Sequence, residues 1–302
     1  MRYVFIANPK AGAKSGYAKY KGRISAACEK IGVEYKFLLT EKESDMIEFP
    51  RAEGSVGDDV RIIILGGDGA LCLAATGIAG MENVELGCIP CGSGNDYVRT
   101  FGGTKRFLDI ENYLTAPSRY VDAIKTGHLT SINLCSMGLD AIICDRTNRM
   151  KRAKKFLGGG TYTLSVLISM LGRVYNSLRI TIDDEYVYEG KFIFSLAASG
   201  QYYGGGYHGA PTADPSDGLL DFVMVRRVSK LRMLTLIGDY KSGKYINSPR
   251  FKDILITHRG RKMKIECDRP AVVNIDGECF DLNEVTFEVM PRAVRFIVND
   301  AK

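Results

Sequence analysis

Tryptophan is absent from this 302-residue chain, and histidine occurs only three times. Without Trp, any anchoring at a membrane interface falls to Tyr, Phe and basic residues. His128, His208 and His258 are scattered with no ligand spacing, so a histidine-based metal centre is not indicated. Eight cysteines are too few for a disulfide scaffold in a chain of this length, and Cys88-Ile89-Pro90-Cys91 has no second pair to complete a structural zinc site. A Gly-x-Ser-x-Gly nucleophile elbow is missing too. The first apolar run, residues 1–10, breaks at Asn8-Pro9 and does not read as an export signal. The longest apolar stretch, around Leu164–Leu171, is interrupted by Ser165 and Ser169 and is too short to span a bilayer. Neither an internal repeat nor a low-complexity linker is present. The expectation is a soluble cytoplasmic protein with reduced thiols.

The composition is that of a globular protein, 45% hydrophobic and 25% charged, and the length suggests two domains. The charge is unevenly spread. Residues 1–125 hold 16 basic and 16 acidic residues, whereas 126–302 hold 25 and 19, so the whole formal excess of +6 lies in the second part. This excludes a uniformly basic nucleic-acid coat, and no nucleic-acid partner is expected. It fits a neutral domain joined to one that meets an anionic surface.

The first part alternates strands and helices. Tyr3–Ala7, Val33–Leu39, Val60–Leu65 and Val84–Ile89 read as buried strands, with helical stretches at about Gly16–Lys30 and Leu71–Ile78. That rhythm predicts an α/β domain with a parallel sheet, whose ligands sit beyond the carboxyl ends of the strands. After about residue 125 the rhythm changes. Short runs at Ser131–Cys135, Arg179–Asp183, Lys191–Ala197, Leu219–Val225, Ile254–Thr257, Lys262–Glu266, Ala271–Ile275 and Val285–Val289 predict a β-rich, mainly antiparallel, sandwich-like domain. Helical insertions are expected at Ala141–Phe156, Thr161–Val174 and Lys230–Lys241. The boundary near residue 125 is a change of pattern, with no visible hinge.

Several loops could carry chemistry. Gly66-Gly67-Asp68-Gly69 follows a buried strand and opens a helix, so its N–H groups can approach an anion while Asp68 faces a metal-bound phosphate. Taken alone, it reads equally well as a tight turn with a capping Asp. Gly92-Ser93-Gly94-Asn95-Asp96 has the same placement after the fourth strand, which favours a nucleotide cleft. Asn95 there reads a phosphate or ribose, or caps the next helix. Asn8-Pro9-Lys10-Ala11-Gly12-Ala13-Lys14 is a third loop at that edge, where Lys10 and Lys14 could neutralise phosphates. Three glycines follow Tyr203, implying close backbone approach or strain. Asp214 and Asp217 could hold a hard cation, or simply form Asx turns. Asn274-Ile275-Asp276-Gly277-Glu278 puts two carboxylates about a hairpin glycine, which by itself is common.

Taken in order, Gly66-Gly67-Asp68-Gly69, Pro90-x-Gly92-Ser93-Gly94-Asn95-Asp96, Gly138-x-Asp140-Ala141, Gly204-Gly205-Gly206, Asp217-Gly218-Leu219-Leu220-Asp221 and Asp276-Gly277-Glu278 resemble the diacylglycerol kinase catalytic-domain family of bacterial lipid kinases, related to sphingosine kinases. The resemblance covers essentially the whole chain. It implies a two-domain lipid kinase, with 1–125 plus 290–302 as the α/β nucleotide-binding domain and 126–289 as the β-rich lipid-substrate domain, ATP in the cleft between them and Mg²⁺ on the phosphates. The substrate it implies is a neutral lipid, diacylglycerol first, met at an anionic membrane surface; a homodimer stays open as the assembly. Glu278 would be the general base, with Asp276 and Asp68 beside it. Asn8, Lys10, Gly12, Lys14, Gly66, Gly67, Gly69, Gly92, Ser93, Gly94 and Asn95 would bind the nucleotide. Asp214, Asp217 and Leu219 would form a structural Mg²⁺ site. The chain departs from the family at Ala11, Ala70, Cys72 and Leu73, which replace two hydroxyl residues and an Asn-Glu pair. Each lost hydrogen bond weakens nucleotide binding by roughly 0.5–1.5 kcal/mol. The alternatives are a kinase of a soluble substrate, of the NAD-kinase type, and a non-catalytic lipid- or nucleotide-binding regulator. Basic clusters at Lys151–Lys155, Arg226-Arg227, Lys230, Arg232 and Arg250 to Arg269 are the expected membrane-facing charge, each worth about 1 kcal/mol near an anionic leaflet.

Overall fold

The computed structural model describes residues 1–9, 16–153, 165, 168, 169, 172 and 174–299. The first layer is a parallel sheet. Strands β1 (Arg2–Ala7), β2 (Tyr35–Leu39), β3 (Val60–Gly66) and β4 (Val84–Pro90) lie side by side in the order β2-β1-β3-β4. Their near-continuous apolar sequences are what a sheet covered on both faces requires. Helices α1 (Gly16–Ile31), α2 (Asp45–Gly54) and α3 (Asp68–Ile78) make the crossovers. The order reverses between β1 and β3, the place where such sheets bind ligands.

Helix α2 was not expected, because it contains Pro50 and ends at Gly54. It forms because Met46 and Pro50 are buried and because α3 offers a glycine against it. A Cβ at Gly77 would come within 2.5 Å of the Ile47 carbonyl oxygen, so the two backbones meet directly. Three short helices follow, α4 (Tyr97–Thr100), α5 (Thr104–Phe107) and α6 (Ile110–Thr115). Their aromatics pack with Phe296, closing one end of the first core.

The second layer is antiparallel. It contains β5 (Ser118–Lys125), β6 (Thr130–Ser131), β7 (Leu134–Gly138), β8 (Asn176–Ile182), β9 (Tyr186–Ala198), β10 (Leu220–Arg226), β11 (Leu255–Gly260), β12 (Lys262–Ile275) and β13 (Glu278–Ile297), with helices α7 (Leu139–Ala153) and α8 (Lys230–Lys241). The stretch read as one strand over Ser131–Cys135 is the end of β6 and the start of β7. The two runs at Lys262–Glu266 and Ala271–Ile275 are a single strand with a register shift between them. The helix expected over Thr161–Val174 lies largely outside the described residues. Alternate residues of β9 and β10 feed two cores: Phe192, Ala197, Phe222 and Met224 pack inside the sandwich, while Ile193, Leu196, Val223 and Val225 face Leu236 and Tyr240 of α8.

Strand β13 unites the layers. It pairs with β12 from Glu278 to Glu288, then with β5 up to Ile297, and joins β4 in parallel at Arg295 and Phe296. It changes layers at a register shift between Met290 and Val294, where Arg292 has φ 54° and donates its N–H to the Asp122 carboxylate at 2.8 Å. No helix among the described residues is long and apolar enough to cross a membrane.

Candidate active site

The carboxyl ends of β3 and β4 place the two glycine loops against each other. Cys91 N–H donates to the Gly66 carbonyl at 2.7 Å. A Cβ built on Gly92 would lie 2.6 Å from the Gly67 Cα, and one on Gly67 would lie 2.9 Å from the Gly92 Cα. Only glycine permits this approach of the two loops. The opening turn of α3 adds the favourable end of its dipole.

Asp68 ties the loops together. Its Oδ1 accepts from the N–H groups of Asp96 at 2.7 Å and Tyr97 at 3.1 Å. Its Oδ2 and the Asp96 Oδ2 each lie 2.9 Å from the position a Cβ on Gly94 would take, so a side chain there would strike both carboxylates. Burial raises the Asp68 carboxyl above its usual range, against the pull of its backbone donors. Burial likewise pushes Asp96 up to about 6, and the neighbouring Asp68 adds to the rise. The sequence reading quoted Asp96 within its motif without assigning it a role. The structure makes it the link to the second layer, because its Oδ2 accepts the Gly205 N–H at 2.7 Å and its Oδ1 meets Arg99 at 3.2 Å. All three glycines 204–206 have positive φ, which is why that loop can present its backbone.

Asn95 does not cap the next helix. It has φ 51°, and its amide closes its own loop, accepting from Gly92 N–H and donating to Gly92 O, both at 2.9 Å. Asp96 stands at the N-cap of α4, with no side-chain cap bond. Ser93 is exposed at the loop tip, and Asn8 is exposed just past β1. Lys10, Gly12 and Lys14 lie outside the described residues. Two departures from the family, Cys72 and Leu73, are buried in α3; the Cys72 thiol reaches the Thr130 carbonyl at 3.6 Å.

Glu278 reaches this cleft from the other layer. Asp276 and Gly277, with φ 47° and 102°, form a two-residue hairpin turn of the mirror-image type that suits twisted strands. The turn sets Glu278 at the first position of β13, its Oε1 3.3 Å from the Cβ position of Gly69. The Asp276 carboxylate points the other way. It is 7% exposed and accepts from Ser131 Oγ at 2.6 Å and from the N–H groups of Leu134, Ile132 and Asn133 at 2.8, 3.2 and 3.3 Å. Burial still pushes it up to about 6. The expectation that Asp276 stands in the cleft as a catalytic group is therefore corrected: its oxygens are consumed in holding the turn.

Asp214 and Asp217 adopt the turn geometry named as their alternative. Asp214 Oδ1 accepts from Ser216 N–H and Oγ, and Asp217 Oδ1 from Leu219 N–H at 3.0 Å. The other Asp217 oxygen meets Arg259, which also approaches Asp221 at 3.4 Å. Among the described residues no three His, Cys, Asp or Glu side chains are grouped to hold a metal. The oxygen donors suit Mg²⁺ in kind, but a guanidinium already faces Asp217.

Sequence reasoning missed one further feature, an apolar cavity of about 90 Å³ between the second layer and α8. Ile193, Phe194, Val225, Leu236 and Tyr240 are among its lining, and Asp140 is the single carboxylate in it. Both Asp140 oxygens are shut off from solvent without a hydrogen-bond partner, and burial pushes the group up to about 6. Helix α7 connects this cavity to the cleft. Leu139, Asp140 and Ile143 face the cavity, while Cys144 and Asn148 reach the Gly277 carbonyl at 3.5 and 2.7 Å.

Comparison with known proteins agrees with this geometry. The diacylglycerol kinase catalytic domain family matches residues 2–137, and the YegS C-terminal NAD kinase beta sandwich-like domain matches residues 133–298. A Mycobacterium tuberculosis protein named diacylglycerol kinase is 27% identical over 274 residues, covering 87% of this chain and 84% of that protein. A Shewanella frigidimarina protein named "Probable lipid kinase YegS-like" is 26% identical over 265 residues, 85% of this chain and 82% of that one. The crystal structure of a diacylglycerol kinase from Bacillus anthracis str. Sterne shares the fold, with TM-score 0.69 and 21% identity over 99% of this chain and 96% of that chain.

Proposed function

The chain belongs to the diacylglycerol kinase catalytic-domain family of lipid kinases, and from that premise we propose that it transfers the γ-phosphate of ATP to the hydroxyl of a neutral lipid of the diacylglycerol class at a membrane surface. One observation carries the lipid assignment: α7 joins an apolar cavity holding a lone carboxylate to the turn that bears Glu278. A cavity with so little polar lining suits an acyl chain far better than a dinucleotide. This favours the lipid over a soluble substrate of the NAD-kinase type.

In this reading the 66–69 and 92–95 loops, packed backbone to backbone at Gly67 and Gly92, hold the donor's phosphates beside the opening turn of α3. Asp140 orients the lipid hydroxyl. Glu278, beside Gly69, accepts the proton as the hydroxyl oxygen approaches phosphorus, a role a positioned carboxylate can fill. Asp276 acts at one remove, fixing the turn from which Glu278 projects. Asp68 and Asp96, the carboxylates at the cleft, would hold a Mg²⁺ carried with the nucleotide, which would supply positive charge to the phosphates. A structural Mg²⁺ at Asp214, Asp217 and the Leu219 carbonyl has to share Asp217 with Arg259.

The deciding experiment is incubation with labelled ATP, Mg²⁺ and vesicles of mixed neutral lipids, followed by identification of the labelled product. A phosphorylated lipid is expected. Label appearing only in a soluble acceptor, or none at all while nucleotide or lipid still binds, defeats the proposal.

A further inference from the structure

We propose that the outer face of α8, led by Leu231 and Leu234, is the surface on which the protein docks to an anionic bilayer. The proposal rests on the lipid-kinase reading for its purpose, though not for its geometry. Helix α8 is two-sided. Met233, Leu236, Ile237 and Tyr240 recur at helical spacing and line the cavity. On the opposite side Leu231 is 73% and Leu234 51% exposed, one turn apart. The other large exposed hydrophobics among the described residues do not form such a pair on one face. Tyr186 packs against His258 with ring centroids 4.6 Å apart, Val187 follows it on β9, where successive side chains point to opposite faces, and Met1, Leu39, Val56 and Ile168 stand apart in sequence. Two neighbouring leucines held in water by a helix whose inner face is already packed are a cost that burial in an apolar medium relieves.

The charge around them selects the medium. Residues 226–253 hold eight basic and two acidic residues, a net of +6, equal to the formal excess of the entire chain. Asp239 and Asp253, the two acids, are paired with Arg250 and Arg232. Arg227, Lys230, Lys241 and Lys244 are exposed about the helix. An apolar ridge in a basic surround matches an anionic headgroup layer over acyl chains. It is also continuous with the cavity, since one helix presents its outer face to the bilayer and its inner face to the cavity. A lipid could therefore pass from the membrane to Asp140 along α8 without crossing bulk water.

The test uses the full chain and two double variants, Leu231→Ser with Leu234→Ser and Lys230→Glu with Lys244→Glu. None of the four residues lines the cavity. Flotation is measured with vesicles of phosphatidylcholine and phosphatidylglycerol in equal parts, and with phosphatidylcholine alone. Turnover is measured on long-chain diacylglycerol in the same vesicles and on a short-chain diacylglycerol dissolved as monomers. The parent chain is expected to float with the anionic vesicles, less so at high salt. Both variants should lose binding by roughly tenfold or more and lose vesicle turnover with it, while keeping the melting temperature and turnover on the dissolved lipid. A leucine variant that floats and turns over like the parent overturns the proposal and leaves the face to another occupant, such as a protein. So does a parent chain that ignores anionic vesicles. Should the parent phosphorylate neither lipid, the kinase reading fails while the flotation comparison still decides the docking surface.

Discussion

Replacing Asp140 by Asn should make the protein more stable and less active. The two carboxylate oxygens of Asp140 are sealed in an apolar cavity without a hydrogen-bond partner, and the group is pushed from 3.8 up to about 6. A carboxyl whose folded pKa is raised binds its proton more tightly in the native state than in the unfolded chain. Its ionisation therefore costs nothing well below pH 4, begins to cost as pH rises through the unfolded pKa, and costs in full above about pH 6. The displacement of about two units corresponds to roughly 3 kcal/mol. An amide of the same shape cannot ionise, so it escapes that penalty, though it still needs partners for its own N–H groups, which reduces the gain. Thermal unfolding of Asp140→Asn and the parent should coincide near pH 4 and diverge as pH rises, with the variant ahead by up to about 3 kcal/mol above pH 6. In a protein of this size that is of the order of 5 °C in melting temperature. Turnover on the lipid should fall, a trade expected where a strained group serves function. Parallel melting curves across the pH range would refute the account of a penalised carboxylate, and unchanged KM and kcat for lipid would refute its role.

Glu278→Gln should cut kcat by roughly 10²–10⁴ with little change in nucleotide affinity or melting temperature; near-normal turnover would remove Glu278 as the base. Gly92→Ala forces a Cβ within 2.6 Å of the Gly67 backbone, so the loops must part, and the KM for ATP should rise by about tenfold while the lipid KM stays put. Glu85 is 4% exposed and bonded to Arg61 at 2.6 Å, Arg295 at 2.5 Å and Ser118 Oγ at 2.7 Å. Glu85→Ala strands two arginines and should cost about 3–5 kcal/mol in denaturant unfolding, far from any effect on nucleotide KM.

The α/β rhythm, the glycine loops and the Asp-Gly hairpin were legible because each is written locally: an apolar run, then residues that tolerate positive φ, then a helix. What escaped was written over longer distances. Pro50 and Gly54 argue against a helix by propensity, and α2 forms because α3 supplies Gly77 beneath it. Cys267-Asp268-Arg269-Pro270 looks like a break between strands, yet β12 runs through it as a register shift, because β13 pairs with Glu266 before it and Ala271 after it. The sequence shows two carboxylates around Gly277 without showing which faces the cleft. That depends on the 131–134 segment, which captures the Asp276 carboxylate. The cavity is the extreme case, since its lining comes from residues 139 to 254 and no motif marks it.

Strand β13 has a consequence for how the molecule can come into being. Its final turn of sequence delivers Phe296 to a core otherwise built by Tyr97, Phe101 and Phe107, and pairs Arg295 with Glu85 more than two hundred residues earlier. During synthesis the first layer must therefore wait, with one face open, until residues 278–297 have emerged. Loop closure over such a span is slow, and the waiting intermediate exposes apolar surface and an unpaired β4 edge. The two layers are thus not separable building blocks that happen to touch. Cutting after residue 137, where the catalytic-domain match ends, would yield a sheet without its closing strand rather than a smaller working kinase.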